Sequence, residues 1–171
     1  MPTSSPFLPA RRRCLALAVA ALAIAAGAQG ADLAAAAARA ADLPDRFDPT
    51  RDAAADVAQA LSLAAASGRR VLVDVGGEWC TWCHIMDAFF AADAEARALR
   101  EKSFVWVKVN WSPQNRNEAV LSRWPKVKGY PHLFVLAADG TLLHSQDTGE
   151  LEAKRGYDRA AFIAFLRRWA G

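Results

Sequence analysis

The sequence predicts an α/β domain in which a mixed β-sheet is flanked by helices. Three observations support this prediction. Runs of β-branched apolar residues at 71–75 and Phe104–Asn110 have the composition of buried strands. Patterns with helical periodicity separate these runs and also close the chain. A third apolar run at 132–137 leads into Asp139-Gly140, a dipeptide typical of a hairpin turn.

The first predicted helix begins at Asp48, whose carboxylate can cap the N-terminus while Pro49 takes the first helical position. The helix is expected to reach residue 66. Ser67-Gly68 ends it, because glycine accepts the left-handed conformation of a C-cap. The strand at 71–75 follows directly.

Three further helices are predicted after that strand. One continuous helix is expected over residues 80–102, because apolar side chains recur at helical spacing without an intervening proline. Ser112 can cap a helix that ends near residue 123, before a Trp-Pro pair that breaks it. Residues 141–145 form the second hairpin strand. Asp158 can cap the last helix, whose apolar face would pack on the sheet.

Composition divides the chain into three segments. Residues 1–28 have the basic and then apolar pattern of a secretory signal peptide, with small residues at 26–28 and 28–30 as cleavage sites. An uncleaved membrane anchor is the alternative. Residues 29–47 are expected to form a linker or partly helical extension, and residues 48–171 the folded domain. Export would place this domain in an oxidising compartment, such as a bacterial periplasm.

The charge balance argues against a nucleic-acid partner. The formal net charge is +3, but three of the arginines lie in the predicted signal peptide. Its removal would leave 18 basic and 18 acidic residues, with no basic patch interleaved with aromatic side chains. Six tryptophans and eight phenylalanines are enough for the core of one domain. We expect a monomer.

Cys80 and Cys83 are the candidate reactive residues. Two cysteines three positions apart at a helix start can bond to each other. The free N–H groups and the helix dipole there favour a thiolate at Cys80. The position at the helix start is also expected to leave Cys80 accessible. This spacing is typical of a reversible dithiol. A static structural disulfide is the alternative, although such bridges usually close longer loops.

The segment around these cysteines, VLVDVGGEWCTWC at 71–83, resembles the strand and active-site segment of thioredoxin. Downstream, VKVN at 107–110 and GYP at 129–131 resemble the next strand and the loop with the family's cis-proline. The resemblance extends over roughly residues 53–170 and implies a thioredoxin fold. Thr81-Trp82 replaces the Gly-Pro of thioredoxin itself. The closer resemblance is to periplasmic thioredoxin-like proteins that reduce disulfides or take part in cytochrome maturation.

This resemblance implies a thiol–disulfide oxidoreductase that needs no cofactor beyond the redox-active Cys80–Cys83 pair. Cys80 would attack a substrate disulfide, and Cys83 would resolve the mixed disulfide. Asp74 occupies an apolar strand, where a carboxylate is costly unless it has a role. In the family the matching residue moves protons to and from the second cysteine, and Lys108 matches the lysine beside it. The alternative is that both are ordinary surface or edge residues.

The GYP loop and the neighbouring aromatic residues are the predicted substrate-binding residues. Pro131 is the candidate for a cis peptide bond, with a trans proline at a strand start as the alternative. The backbone of Tyr130 would pair with an extended substrate segment. Trp79 and Trp82 would form an apolar rim around the sulfurs, or serve in packing alone. His84, four residues after Cys80, could stabilise the thiolate as an imidazolium, or face solvent.

The expected partners are proteins with disulfides and a membrane or periplasmic electron donor that keeps the dithiol reduced. The direction of electron flow stays open, so an oxidase or isomerase remains possible. Rival hypotheses come from other classes. CTWCH at 80–84 is also a c-type haem attachment pattern. A zinc site on Cys80, Cys83 and either His132 or His144 is a weaker alternative. A redox-inactive binding or chaperone module is a third.

Overall fold

The computed structural model describes Met1 and residues 42–171. Apart from Met1, the predicted signal peptide and most of the predicted linker at 29–47 lie outside the described residues. Both segments, and the division of the chain into three, therefore remain predictions. Within residues 42–171, no helix combines the length and the apolar character that crossing a bilayer requires.

The first helix, α1, spans Ala53–Ser67 and not the predicted range from residue 48. Asp52 caps it by accepting hydrogen bonds from the N–H groups of Ala54 and Ala55. Asp48 instead closes a turn of its own, since its carboxylate accepts the N–H of Thr50 at 2.8 Å. The C-terminus is as predicted, because Gly68 ends the helix with φ at +66°.

The predicted mixed sheet is confirmed. In the described part of the chain its strands are β1 (Arg70–Gly76), β2 (Phe104–Asn110), β3 (His132–Leu136) and β4 (Leu142–Asp147). The order is β2-β1-β3-β4, with β1 parallel to β2 and antiparallel to β3. β1 is central, and all its residues except the first are buried. The short strands β5 (Glu152–Ala153) and β6 (Gly156–Tyr157) pair separately.

The prediction of one helix over residues 80–102 is wrong. Two helices, α2 (Thr81–Ala92) and α3 (Ala94–Ser103), meet at Asp93, whose backbone is extended at φ −102° and ψ 102°. The Asp93 carboxylate accepts the N–H of Ala96 at 2.9 Å and so caps the second helix. It also accepts a hydrogen bond from Arg159 at 2.6 Å, which holds the break against the last helix.

The helix predicted between β2 and the GYP loop is also shorter than expected. It is reduced to α4 (Glu118–Leu121), because Ser112 forms a turn with Asn115 in place of a helix cap. Asn115 also donates to the carbonyl of Pro49 at 3.0 Å, which ties this loop to the segment before α1. The last helix, α5 (Arg159–Arg168), begins at Asp158 as predicted.

The main core lies between the sheet and the layer formed by α2, α3 and α5. Its largest members are fully or almost fully buried, and burial of each such side chain contributes about 1.5–3 kcal/mol. These members are Leu72, Met86, Phe90, Phe104, Leu133, Phe162 and Leu166. This packing fixes α2 on the sheet and therefore fixes the position of its N-terminus.

Candidate active site

The two cysteines form a disulfide at the N-terminus of α2. Their Cα atoms are 5.3 Å apart. Cys80 is the N-cap residue, and its sulfur accepts the N–H of Cys83 at 3.2 Å. The first sulfur therefore sits where the unpaired N–H groups and the dipole of the helix stabilise negative charge, which favours a thiolate once the bond is reduced.

The disulfide is less accessible than the sequence predicts. Cys80 is 4% exposed and Cys83 is fully buried. Phe47 forms a small buried cluster with both cysteines, and Trp82 and Tyr130 pack against this cluster. A partner must therefore reach a Cys80 side chain that aromatic rings almost completely cover.

Asp74 and Lys108 are buried together, and Asp74 lies on the same face of β1 as Gly76, which is next to the Cys83 sulfur. They are direct partners in the parallel pairing of β1 with β2, and the Lys108 Nζ lies 3.2 Å from Asp74 Oδ2. Burial raises the pKa of Asp74 to about 6, although the charge of Lys108 opposes the rise. Burial acts to lower the pKa of Lys108, but Asp74 and a second carboxylate outweigh it and raise that pKa.

The second carboxylate belongs to Asp87, which the sequence analysis missed. Asp87 Oδ1 lies 2.8 Å from Lys108 Nζ, and its side chain is 44% exposed. Asp87 follows Cys83 by four residues in α2, so its position on the same helix face was visible in the sequence. The three charged groups form a chain from a fully buried carboxylate to a partly solvated one.

Phe47 is the second functional candidate that the sequence analysis missed, and it lies in the segment predicted to be a linker. It is 2% exposed, and its ring lies 4.1 Å from the Lys108 Nζ. Its N–H donates to the Glu78 carboxylate at 2.9 Å, which joins the segment to the loop before Cys80. A Cβ atom added to Gly76 would lie 2.9 Å from the Phe47 ring and would overlap the sulfur of Cys83.

The predicted cis peptide is present between Tyr130 and Pro131. The carbonyl of Pro131 accepts a hydrogen bond from the Thr148 hydroxyl. The Tyr130 ring stacks on Trp111 at a centroid distance of 5.0 Å, and it meets Trp79 edge-on at 5.5 Å. The cis-proline loop and the loop before Cys80 are thereby joined by aromatic contacts.

The two predicted rim tryptophans have different surroundings. Trp79 is 52% exposed, and its indole N–H donates to the carbonyl of Trp111 at 2.8 Å. Trp82 is half-buried and packs edge-on against Tyr157. Trp79 therefore presents an apolar face to solvent, whereas Trp82 also contributes to the core.

His84 lies against Glu78. Its Nε2 is 2.9 Å from the Glu78 carbonyl oxygen and 4.0 Å from a carboxylate oxygen of the same residue. The predicted effect of His84 on the Cys80 thiolate remains a prediction.

The two histidines of the zinc hypothesis are engaged elsewhere. His132 Nε2 lies 2.8 Å from the Ser145 hydroxyl, and His144 Nε2 lies 3.0 Å from Gln146. Among residues 42–171, no three His, Cys, Asp or Glu side chains are grouped so as to hold a metal ion. The sulfurs of Cys80 and Cys83 are bonded to each other.

Comparison with known proteins identifies the family to which this chain belongs. A family model described as thioredoxin-like matches residues 52–138, more than half of the chain. The chain therefore belongs to the thioredoxin-like family, and the bonded Cys80–Cys83 pair is the dithiol motif of its thiol–disulfide oxidoreductases. The thioredoxin fold expected from the resemblance is confirmed.

Individual relatives agree with this class. The thiol:disulfide interchange protein DsbD of Pseudomonas fluorescens is 33% identical over 117 residues, which is 67% of this chain and 18% of that protein. The chain thus spans about a fifth of the length of the curated relatives that it matches.

Solved structures show the same fold. The disulphide isomerase from Xylella fastidiosa Temecula1 superimposes with a TM-score of 0.62 at 26% identity, over 74% of this chain and 96% of that one. The reduced DsbD C-terminal domain of Neisseria meningitidis shares the fold, with a TM-score of 0.51 at 20% identity over 70% of this chain and 96% of that one.

Proposed function

We propose that this protein is an exported thiol–disulfide oxidoreductase that reduces or exchanges disulfides in protein substrates. The observation that carries the proposal is the Cys80–Cys83 disulfide at the N-terminus of α2, packed against Tyr130 of the cis peptide bond. A structural bridge that closes so short a loop would stabilise the fold little. The surrounding geometry supports a bond that opens and closes.

In the reducing direction, the Cys80 thiolate attacks one sulfur of the substrate disulfide. A mixed disulfide forms, and the other substrate sulfur leaves as a thiolate. The Cys83 thiol then loses its proton and attacks the Cys80 sulfur, which releases the second substrate sulfur. Two electrons pass to the substrate, and the protein is left with the Cys80–Cys83 disulfide.

The proton from Cys83 needs an acceptor because Cys83 is fully buried. We assign this role to Asp74, which shares a face of β1 with Gly76, the residue packed against the Cys83 sulfur. A pKa of about 6 suits a base that exchanges protons near neutral pH. Lys108 positions the carboxylate, and Asp87 links the pair to solvent.

Reduction of protein substrates is the direction we favour, with a membrane or periplasmic protein as electron donor. The names of the relatives, an interchange protein and an isomerase, support exchange with other proteins. The predicted signal peptide supports a periplasmic location. We assign substrate contacts to Trp79, Trp82, Tyr130 and Pro131, and modulation of the thiolate to His84.

Two measurements test the proposal. Titration of the purified protein with a glutathione or dithiothreitol redox buffer should show reversible interconversion of the dithiol and the disulfide. Cys80→Ser should abolish insulin-disulfide reduction, whereas Cys83→Ser should accumulate mixed disulfides with substrates. Trapping by Cys80→Ser alone would reverse the two roles.

The chaperone hypothesis makes a different prediction for the double variant. Cys80→Ser combined with Cys83→Ser would retain client binding in a chaperone, but it should lose all turnover in an oxidoreductase. The proposal would be contradicted if the wild type showed no turnover and the double variant still fully protected an aggregating client.

A further inference from the structure

Arg100 of α3 is a charged side chain in the core that the proposed exchange chemistry does not use. Its guanidinium lies between two aromatic rings, with Cζ 4.6 Å from the centroid of the Phe90 ring and 4.9 Å from that of the Trp106 ring. The side chain is only 21% exposed. Because a charge removed from water to this extent is costly, a buried arginine is ordinarily paired with a carboxylate.

The pairing of Arg100 among residues 42–171 is weak. Its Nε atom is buried and has no hydrogen-bond partner in that part of the chain. Its Nη2 atom lies 3.6 Å from Glu101 Oε1, but the Glu101 side chain is 61% exposed, so solvent screens this ion pair. The positive charge of Arg100 is therefore poorly neutralised at contact distance, and it acts on other charges buried nearby.

The two rings that hold Arg100 also place it next to the three charged groups described above. Trp106 precedes Lys108 by two residues on β2, so both side chains are on one face of the strand, about 7 Å apart. Phe90 follows Asp87 by three residues on α2, so these two are neighbours on one helix face. Each ring that contacts the guanidinium is thus one step from a member of the ion-paired group.

The charged groups that interact in this region come from β1, β2, α2 and α3. They are Asp74, Lys108, Asp87, Arg97, Arg100 and Glu101. Burial lowers the pKa of Arg100, and the three carboxylates oppose this effect. Burial raises the pKa of Asp74, and both Lys108 and Arg100 oppose the rise. The phenol of Tyr157 also faces this region, but burial raises its pKa, so it stays neutral. Two buried cations therefore act on the Asp74 carboxylate.

We propose that Arg100 is a positioning residue for the proton transfer from Cys83, and that it acts through Asp74. Its positive charge favours the ionised carboxylate, which is the form that accepts the proton. Arginine suits this role because its guanidinium stays charged in a buried site, where a lysine ammonium loses its proton more readily. The inference rests on the proposed function, since it requires Asp74 to accept the proton of Cys83.

Neutral variants of Arg100 test the inference. Arg100→Met removes the charge and keeps an unbranched side chain between the two rings. Arg100→Gln also removes the charge, and it carries the test if Arg100→Met does not fold. The first measured quantity is the titration midpoint of the Asp74 carboxyl carbon, followed by NMR in the oxidised protein, where neither cysteine titrates. The second is the single-turnover rate at which Cys83 resolves a mixed disulfide.

Both neutral variants should raise the Asp74 midpoint, with an acid ionisation constant about threefold smaller than that of the wild type. The resolution rate should fall by a similar factor at pH 5, where little carboxylate is ionised, and stay unchanged at pH 8, where ionisation is complete in every variant. Arg100→Lys, which keeps a positive charge, should restore most of the wild-type midpoint. Combining Arg100→Met with Asp74→Asn should give the pH profile of Asp74→Asn alone, because Arg100 acts through that carboxylate.

Arg97→Met is the matched control. It removes one positive charge from the same helix as Arg100, but the Arg97 guanidinium donates to the carbonyls of Phe90 and Ala91 at the end of α2. The Asp74 midpoint and the resolution rate should match those of the wild type.

The possible failures are distinguishable. An unchanged Asp74 midpoint in the neutral variants, with normal insulin reduction by the wild type, would give Arg100 a packing role and overturn this inference alone. An equal shift of the midpoint in Arg100→Lys would also overturn it, because the charge would then not be the cause. Failure of the wild type to reduce any disulfide would overturn the proposed function and this inference together.

Discussion

The Asp74 carboxylate and the Lys108 ammonium lie 3.2 Å apart, and neither side chain has appreciable contact with solvent. The pairing is incomplete, because Asp74 Oδ1 has no hydrogen-bond partner among residues 42–171. A buried carboxylate that is only half satisfied costs free energy. Its position in the middle of the central strand supports the proposed role of Asp74 as a proton acceptor.

The first prediction concerns stability. Burial raises the folded-state pKa of Asp74 to about 6 from the ordinary 3.8, so the protonated form stabilises the fold. The contribution of Asp74 to the free energy of unfolding is on the order of 3 kcal/mol. It is fully present below pH 4 and is lost as the pH rises through 6. Asp74→Asn should therefore match the wild type near pH 4 and exceed its stability at pH 8. Urea unfolding of both proteins across this range measures the difference, and parallel curves would contradict the prediction.

The second prediction concerns turnover. Asp74→Asn should slow insulin reduction about tenfold or more near pH 7, because the amide cannot accept the proton of Cys83. The wild-type rate should rise as pH passes through about 6, where the carboxylate ionises, and the variant should lack this rise. Asp139→Asn is the control, since it removes an exposed carboxylate in the hairpin turn at the far end of β3. An unchanged profile in Asp74→Asn would leave that carboxylate with a structural role.

The third prediction concerns Phe47, whose ring covers the Lys108 ammonium. Phe47→Ala should cost about 3 kcal/mol of stability through the cavity that it leaves. It should also admit water to the buried ion pair and so move the inflection of the pH–rate profile below 6, because hydration favours the ionised carboxylate. Phe47→Leu, which keeps most of the apolar volume, is the control and should retain the wild-type inflection. If all three proteins share one inflection, Phe47 serves packing alone.

The fourth prediction compares two glycines. Gly76→Ala places a Cβ against the Cys83 sulfur and the Phe47 ring, and we expect a loss of about 1–3 kcal/mol together with slower resolution of mixed disulfides. An added Cβ at Gly68 meets no atom of residues 42–171 within 4 Å, so Gly68→Ala is strained only by its φ of +66°. It should cost about 1–2 kcal/mol and leave the exchange rate unchanged. Thermal unfolding and single-turnover kinetics measure both effects. Equal exchange rates in the two variants would show that the space at Gly76 does not affect the rate at which Cys83 resolves mixed disulfides.

Two of the predictions from local patterns match the structure closely. The strand Phe104–Asn110 was predicted at its observed bounds, because its alternating valines need no information from the rest of the chain. The turn at Gly140, with φ of +88°, follows from the Asp-Gly dipeptide. The helix over 80–102 was wrong because apolar periodicity continues across Asp93, while the break depends partly on Arg159, 66 residues away.

The sequence by itself determined the class of protein and the position of its dithiol, because the strand, the glycines, the cysteines and the following helix are set by neighbouring residues. Only the tertiary structure decided what surrounds the sulfurs. Phe47 comes from a segment whose sequence shows no helix or strand pattern, and Asp87 of α2 contacts Lys108 on β2. Such contacts depend on how β1 and β2 pair and on which side chains share one buried volume, and no short stretch of sequence encodes that arrangement.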